Sequence, residues 1–223
     1  MPLSYPDQRQ AILRAAEHLV STGVLSHSHH GNSSVRLPDG QSMLITGVSS
    51  LLGQSPESLA VLDLDGNVLD GALASTSAEI TGMHASVYKL RPDANAVIHT
   101  HSPSVTAYAM AHKPMPIHYE GLLRLGISQD IPVAPWGPRG SRESVAYIEQ
   151  TLLAHPEAQA VLLANHGLLA WGADQARTAQ LIISLEEAAE LMRLATPLGG
   201  SQPFPPGALD QVRHRLEAFT PGR

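Results

Sequence analysis

Two short apolar runs, each followed by histidine, constrain this chain most. The first ends in a His-x-His pair, His99 and His101, and the second, at 160–164, is followed by His166. Apolar runs of this length predict buried β-strands. Residues i and i+2 of a strand point to the same face, so His99 and His101 would aim two imidazoles at one point, and His166 could supply a third. Three converging imidazoles with room for a further ligand are typical of a catalytic zinc, and they predict a metal-dependent enzyme.

Apolar periodicity and turn residues predict an irregular alternation of helices and strands. We expect helices at 7–22, 79–90, 104–111, 141–154, 174–195 and 207–218, and strands at 33–37, 42–45, 59–64, 95–100, 131–134, 160–163 and 168–170. Because hairpins occur among these elements, the pattern favours an α/β fold with a mixed or antiparallel sheet over a doubly wound parallel sheet. No repeat or linker divides the chain, so we expect one domain over residues 1–223.

Composition excludes several classes of protein. The net charge is -6 and no basic run occurs, so we expect neither nucleic acid nor an acidic membrane as a partner. The chain has no cysteine, which excludes disulfides and thiolate metal ligands and fits a reducing compartment. The first residues lack the features of a signal peptide, and no stretch approaches the ~20 apolar residues of a membrane span. We therefore expect a cytoplasmic protein.

Four segments together resemble the class II aldolase/adducin family, in the family's order and at close to its spacing. They are 31–36 (GNSSVR), 91–101 (RPDANAVIHTH), 117–119 (IHY) and 165–168 (NHGL). The resemblance covers about residues 8–195, which leaves 196–223 as a C-terminal tail.

The resemblance implies a fold, a chemistry and an assembly. The fold would be a three-layer α/β/α domain around a largely antiparallel sheet. The activity would be that of a lyase that cleaves a small sugar phosphate, a ketose 1-phosphate, by retro-aldol chemistry through a metal-stabilised enediolate. His99, His101 and His166 would hold Zn²⁺, or another divalent ion such as Mn²⁺ or Co²⁺. The assembly would be a C4 homotetramer with active sites at subunit interfaces.

The family's acid/base carboxylate corresponds to Glu79, which follows Ser77 and one alanine. By this resemblance the carboxylate lies four residues before a helix histidine, here His84, but Glu79 lies five before it and Ile80 stands at the expected position. An extra loop residue, a helix that begins with a bulge, or a displaced carboxylate would each explain the offset, and we favour the extra residue. The alternative role for Glu79 is a glutamate of a first helical turn, stabilised by the helix dipole.

The resemblance also implies phosphate-binding residues, namely Asn32, Ser49, Ser50 and Ser77. Hydroxyls, amides and backbone N–H groups, with a helix N-terminus after Ser77, can bind a dianion without lysine or arginine. The chain departs from the family in two ways. The loop before Ser50 reads Thr-Gly-Val-Ser-Ser where the family's aldolases have Thr-Pro-Ser/Thr-Gly, and Ala78 replaces a second serine. An ordinary turn at the loop, and a substrate that ends in a carboxylate or another polar group, therefore remain alternatives.

Tyr119 matches a family tyrosine that reaches a neighbouring subunit's site and donates a proton, and its alternative role is a packed interface tyrosine. Glu120 is a second acid that could transfer a proton. A tyrosine that the family's aldolases use in the C-terminal segment has no counterpart, since none occurs after Tyr147. Three further histidines are expected at the rim of the pocket: His27, His29 and His30.

Two other functions remain open. The same metal site would serve a dehydratase, a decarboxylase or an epimerase acting on a related sugar or sugar-acid phosphate. A non-catalytic interaction module of the adducin type is the other alternative. Adducin heads lack the metal histidines, whereas this chain has all three and has no long basic tail.

Overall fold

Helices and strands form largely where the apolar periodicity places them. The computed structural model describes residues 3–219. The strands are β1 Gly31–Arg36, β2 Ser42–Thr46, β3 Leu59–Asp63, β4 Val68–Asp70, β5 Ala96–Thr100, β6 Val133–Ala134, β7 Ala160–Leu163 and β8 Gly167–Gly172. The helices are α1 Pro6–Ser21, α2 Ser75–Ala78, α3 Thr81–Leu90, α4 Pro103–Met110, α5 Glu120–Arg124, α6 Arg142–Ala154, α7 Gln175–Ala195 and α8 Ala208–Phe219. None of the helices within residues 3–219 is long and apolar enough to cross a membrane.

All eight strands belong to one sheet with the order β4-β3-β2-β1-β5-β8-β7-β6. Every neighbouring pair is antiparallel except β6 and β7, which are parallel. The expectation of a largely antiparallel sheet in an α/β fold is therefore confirmed. Strand β5 lies between β1 and β8, so the His-x-His pair stands at the end of a central strand.

Alternate residues of the central strands face two different hydrophobic cores. Ile98 and Leu168 pack in a core with helices α1, α4, α5 and α7. Val97 and Leu169 pack in a second core with helices α3 and α6. This period-two alternation places helices on both faces of the sheet, which gives the three layers expected from the resemblance.

The helix predicted at 79–90 is wrong at its N-terminal end. Residues Ser75–Ala78 form a separate short helix, and α3 begins only at Thr81. The Thr81 hydroxyl donates to the Ala78 carbonyl at 3.0 Å, which is the local side-chain bonding by which threonine competes with a continuous helix. Consequently the long helix begins at Thr81, four residues after Ser77, instead of at residue 79. Strand β4 was not predicted because its three residues are exposed and show no apolar alternation.

Candidate active site

His99 is buried near the end of β5 and is oriented by the neighbouring strand. Its Nδ1 lies 2.8 Å from the backbone carbonyl oxygen of Leu168, to which it can only donate a hydrogen bond. A neutral ring that donates from Nδ1 has an unprotonated Nε2, and a backbone acceptor of this kind commonly orients metal-binding histidines. The Nε2 atom of His99 lies 3.1 Å from Nε2 of His101. The two histidines thus share one side of the strand, as their spacing predicts.

His166 joins them from the turn between β7 and β8. The turn is made at Asn165, which has a left-handed backbone with φ of 58°, a conformation that asparagine tolerates better than most residues. His112 fixes this turn, since its Nε2 lies 2.6 Å from Asn165 Oδ1. The ring of His166 then lies 4.7 Å from that of His99 and 4.9 Å from that of His101, measured between centroids.

The three rings have the geometry of a metal site. Their candidate ligand nitrogens all lie within 4.8 Å of one another, and among the side chains that the structure describes no other group of three or more His, Cys, Asp or Glu residues does so. Tetrahedral zinc with bonds of about 2.0–2.1 Å separates two ligand nitrogens by about 3.3 Å, close to the 3.1 Å between His99 and His101. The donor set and its spacing therefore fit a divalent ion, with a coordination position left for substrate.

Burial keeps these imidazoles neutral and ready to act as ligands. Burial, followed by the positive charges of His166, His30 and Arg139, lowers the pKa of His101 to about 4. Burial likewise lowers the pKa of His99, followed by the charges of His166 and His101. The pKa of His166 is lowered by burial and then by Arg139. A metal binds only unprotonated imidazole, so these shifts favour binding at neutral pH.

Two cavities meet at the histidines. The larger, about 430 Å³, is lined by Glu79, Trp136, Arg139, His101 and His166 among others. The smaller, about 30 Å³, has a mostly polar lining and shares Ile80, His101, Arg139 and His166 with the larger. Its lining residues are His30, Gly31, Asn32, Ser49, Ile80, His99, His101, Arg139 and His166. A small-molecule substrate in the larger cavity would thus reach the metal position and a carboxylate together.

Glu79 directly follows the four-residue helix α2 and faces the larger cavity. Its carboxylate Oε2 lies 3.3 Å from Nε of Arg139, and its side chain is 50% exposed. The break between α2 and α3 leaves Glu79 and Ile80 outside both helices. An extra residue between these two helices is the favoured explanation for why Glu79 lies five residues before His84 instead of four.

Asn32 is positioned by a buried polar network. It pairs with His99 across strands β1 and β5. His84 Nε2 lies 2.5 Å from Asn32 Oδ1, and His84 Nδ1 lies 2.7 Å from the Ser34 hydroxyl. Ser34 in turn bonds the Tyr88 hydroxyl at 2.8 Å. Since a neutral His84 donates to the Asn32 oxygen, the Asn32 amide N–H groups stay available to a ligand in the smaller cavity.

The predicted phosphate-binding serines separate into two groups. Ser49 and Ser77 lie together, with hydroxyl oxygens 3.5 Å apart, and Ser49 lines the smaller cavity. Ser50 lines neither cavity, and its hydroxyl accepts a hydrogen bond from the Leu52 N–H at 3.2 Å. The structure therefore brings Asn32 and Ser49 into the smaller cavity beside the histidines. Ser77 lies next to Ser49 but lines neither cavity, and the Ser50 side chain turns toward its own loop.

Tyr119 does not line either cavity of its own chain. It precedes α5 and packs against the core beneath that helix. The Glu187 carboxylate raises the pKa of Tyr119. Glu120, the adjacent acid, lines a separate groove between α5 and α8. Within one chain, neither residue meets the three histidines.

Sequence patterns do not predict Arg139 as a site residue, and they place His30 only at the rim of the pocket. Arg139 reaches both cavities from the loop between β6 and α6. Its only sequence signal is an isolated cation among proline and glycine, which does not show where the loop folds. His30 was placed at the rim, and its ring lies 5.7 Å from that of His101, edge to face.

Known proteins match both the sequence and the structure. The family described as class II aldolase and adducin N-terminal domain matches residues 10–193. The chain belongs to this family. An L-fuculose phosphate aldolase of Escherichia coli O6:H1 is 34% identical over 197 residues, which are 87% of this chain and 86% of that protein.

Two further matches widen the range of chemistry. A 3-oxo-tetronate 4-phosphate decarboxylase of Haemophilus influenzae is 36% identical over 170 residues, 72% of this chain and 75% of that protein. A solved L-fuculose 1-phosphate aldolase superposes with a TM-score of 0.82 at 26% identity, covering 96% of this chain and 98% of that one. These relatives support an aldolase-type enzyme of the class II superfamily and leave its substrate open.

Proposed function

We propose that this chain is a metal-dependent lyase that cleaves a ketose 1-phosphate by retro-aldol chemistry. The observation that carries the proposal is one cavity of about 430 Å³ that contains Glu79 together with His101 and His166, two of the three clustered imidazoles. The similarity to an L-fuculose phosphate aldolase over 87% of the chain supports the same reaction class.

Each residue of the site has a role in this proposal. His99, His101 and His166 hold Zn²⁺, or Mn²⁺ or Co²⁺ in its place. A divalent ion bound there supplies Lewis acidity toward a substrate oxygen that gains negative charge. Glu79 moves the proton, because it is the only carboxylate among the residues that line the two cavities.

The other predicted residues bind the substrate's phosphate or donate a proton to the substrate. Asn32, Ser49 and Ser77 bind the phosphate, and Ser50 contributes through the loop it shares with Ser49. Tyr119 donates a proton to the site of a neighbouring subunit, since it lines neither cavity of its own chain. We propose that the subunits assemble as a C4 homotetramer with sites at the subunit interfaces, as the family resemblance implies. We further propose that residues 1–223 form a single domain that works in the cytoplasm.

Product analysis with metal measurement tests the proposal. The purified protein is expected to carry stoichiometric divalent metal and to release an aldehyde and dihydroxyacetone phosphate from a panel of ketose 1-phosphates. The variant His101→Ala should lose metal and turnover but keep its assembly. The matched control is His155→Ala, which removes an exposed imidazole that lines neither cavity. Full turnover by His101→Ala, or a protein without metal, would contradict the assignment.

Decarboxylation of a sugar-acid phosphate is a second candidate. It is favoured by the 36% identity to a 3-oxo-tetronate 4-phosphate decarboxylase. Both reactions place negative charge on a substrate oxygen next to the bond that breaks, so the same three imidazoles serve either. Release of carbon dioxide from a 3-oxo-acid phosphate, without aldehyde from any ketose phosphate, would decide for the decarboxylase.

A further inference from the structure

Arg139 links the predicted phosphate-binding hydroxyls to the proposed catalytic carboxylate. Its Nη2 donates to the Thr76 carbonyl oxygen at 2.6 Å and to the Ser49 hydroxyl at 3.2 Å. Its Nε lies 3.3 Å from Oε2 of Glu79. One guanidinium therefore contacts both halves of the site.

We propose that Arg139 binds the phosphate of the substrate, and that phosphate binding transfers its guanidinium from Glu79 to the substrate and frees Glu79 for proton transfer. This inference rests on the proposed function, because it assumes a phosphorylated substrate and a proton-transfer role for Glu79. Arg139 is thereby a determinant of specificity for a dianionic end group.

Charge is the first reason. Among the described residues that line the two cavities, Arg139 is the only lysine or arginine. The remaining partners near the smaller cavity, Asn32, Ser49 and Ser77, are neutral hydroxyls or an amide. A guanidinium binds phosphate through charge-assisted hydrogen bonds that are about twice as strong as neutral ones. A dianion placed at the Ser49 hydroxyl lies beside this cation.

Space is the second reason. The smaller cavity, about 30 Å³, has room for about two waters and none for a phosphate group. Arg139 lies on the boundary that this cavity shares with the larger one. The guanidinium must therefore shift when a phosphate reaches Ser49, and the Arg139–Glu79 contact is the one that such a shift exchanges.

Solvent exposure lowers the free energy needed to break the Arg139–Glu79 ion pair. The side chains of Arg139 and Glu79 are 41% and 50% exposed, so water screens the ion pair between them. Exposed pairs of this kind contribute little, whereas an arginine–phosphate contact is frequently bidentate. The guanidinium thus has a stronger partner in a phosphate than in Glu79.

Phosphate binding to the full-length protein tests the inference without turnover. Inorganic phosphate is titrated calorimetrically into chelator-treated protein, so that no metal ion contributes affinity for the anion. Arg139→Gln should weaken binding about tenfold or more, and Arg139→Lys should restore part of it. The matched control Arg142→Gln removes an exposed arginine three residues away that lines neither cavity, and it should bind as the wild type does.

The transfer from Glu79 makes a second, more specific prediction. Because Glu79 competes with phosphate for the guanidinium, Glu79→Gln should strengthen phosphate binding about two- to fivefold. In the double variant with Arg139→Gln this gain should vanish, leaving the affinity of the single Arg139→Gln variant. A gain that persists without Arg139 would overturn the exchange.

Three results would overturn the role of Arg139 itself. They are a wild-type protein that does not bind phosphate, equal affinity in Arg139→Gln, and equal weakening by Arg142→Gln. The lyase function is tested separately, by assaying cleavage of ketose 1-phosphates by the same wild-type preparation with metal. A protein that binds phosphate through Arg139 but cleaves none of these substrates refutes the lyase and leaves the anion site standing.

Discussion

Glu79 is the carboxylate on which the proposed chemistry depends. Replacing it by glutamine keeps the shape of the side chain and removes the proton acceptor. Since Glu79 is not one of the three clustered histidines, we expect Glu79→Gln to keep stoichiometric metal. Turnover should fall by about 10²- to 10⁴-fold, the usual contribution of a general acid–base group. Metal content by mass spectrometry and kcat on the same sample check both halves of this prediction.

The control for this variant is Glu143→Gln on the adjacent helix α6. Glu143 is exposed and accepts a hydrogen bond from Tyr147 at 2.9 Å, away from the histidines. Its replacement should leave kcat unchanged. Unchanged kcat in Glu79→Gln would clear Glu79 of the role, and loss of metal there would make it a ligand instead.

His84 gives stability an acid-side pH dependence. Burial lowers its pKa from 6.5 to about 3. Between these values the unfolded chain binds a proton that the folded chain does not, so the free energy of unfolding falls as the pH drops from 6.5 toward 3. One such group contributes a slope of at most about 1.4 kcal/mol per pH unit.

The variant His84→Gln isolates this contribution. A glutamine amide can still donate to Asn32 and accept from Ser34, but it cannot take up a proton. In chelator-treated protein, urea unfolding between pH 6 and 4.5 should show a slope that is shallower by about 1 kcal/mol per pH unit. His155→Gln, an exposed substitution, should keep the wild-type slope. An unchanged slope in His84→Gln would show that His84 titrates normally.

Residues close in sequence were easier to predict than those that meet only in the fold. The spacing of His99 and His101 fixes their common face because strand side chains alternate. The approach of Arg139 depends on the path of a proline- and glycine-rich loop, which no local periodicity encodes. The Ser50 hydroxyl likewise accepts a hydrogen bond from the Leu52 N–H of its own loop instead of lining a cavity. Long-range placement of single side chains is the part that the sequence alone leaves open.

Strands and long helices were predictable because each carries its own pattern. Helix α1, predicted at 7–22, spans Pro6–Ser21, and α7, predicted at 174–195, spans Gln175–Ala195. The short helices α2 and α5 were missed, since four or five residues are too few for a 3.6-residue period to appear. The break between α2 and α3 matters most, because it sets the position of Glu79.

Close packing of β5 against β8 sets the distance between the histidines. A Cβ atom added to Gly167 would lie 2.6 Å from the Thr100 carbonyl oxygen and 3.0 Å from the His101 ring. The variant Gly167→Ala must therefore push the two strands apart and move His166 away from its partners. We expect zinc affinity to fall by about tenfold or more, the size of effect seen when support around metal ligands is lost. Competition with a chromogenic chelator measures it.

Gly82→Ala is the matched control. Gly82 lies in helix α3, and an added Cβ would meet only the end of the Val145 side chain, at 3.0 Å. Alanine also favours a helix over glycine by about 1 kcal/mol. This variant should keep both fold and metal affinity. Equal affinity in Gly167→Ala and Gly82→Ala would show that strand spacing does not govern the site.

If Tyr119 is catalytic, it must reach the active site of a neighbouring subunit, because it lines neither cavity of its own chain. In a C4 ring each site would take its histidines and Glu79 from one subunit and Tyr119 from the next. Light scattering should then give about four times the 23.7 kDa chain mass. Tyr119→Phe should lower kcat about tenfold or more while leaving the metal bound, because only the proton donor is removed.

Mixed assemblies distinguish a shared site from one built within a chain. Glu79→Gln and Tyr119→Phe subunits, each impaired alone, should regain activity when unfolded together and reassembled, since about a quarter of randomly mixed sites combine an intact Glu79 with an intact Tyr119. Mixing Glu79→Gln with His101→Ala should recover none, because these two residues line the same cavity of one chain. If the first mixture stays inactive while its tetramer forms, Tyr119 does not serve a neighbouring site, and it is then a packed residue at the base of α5.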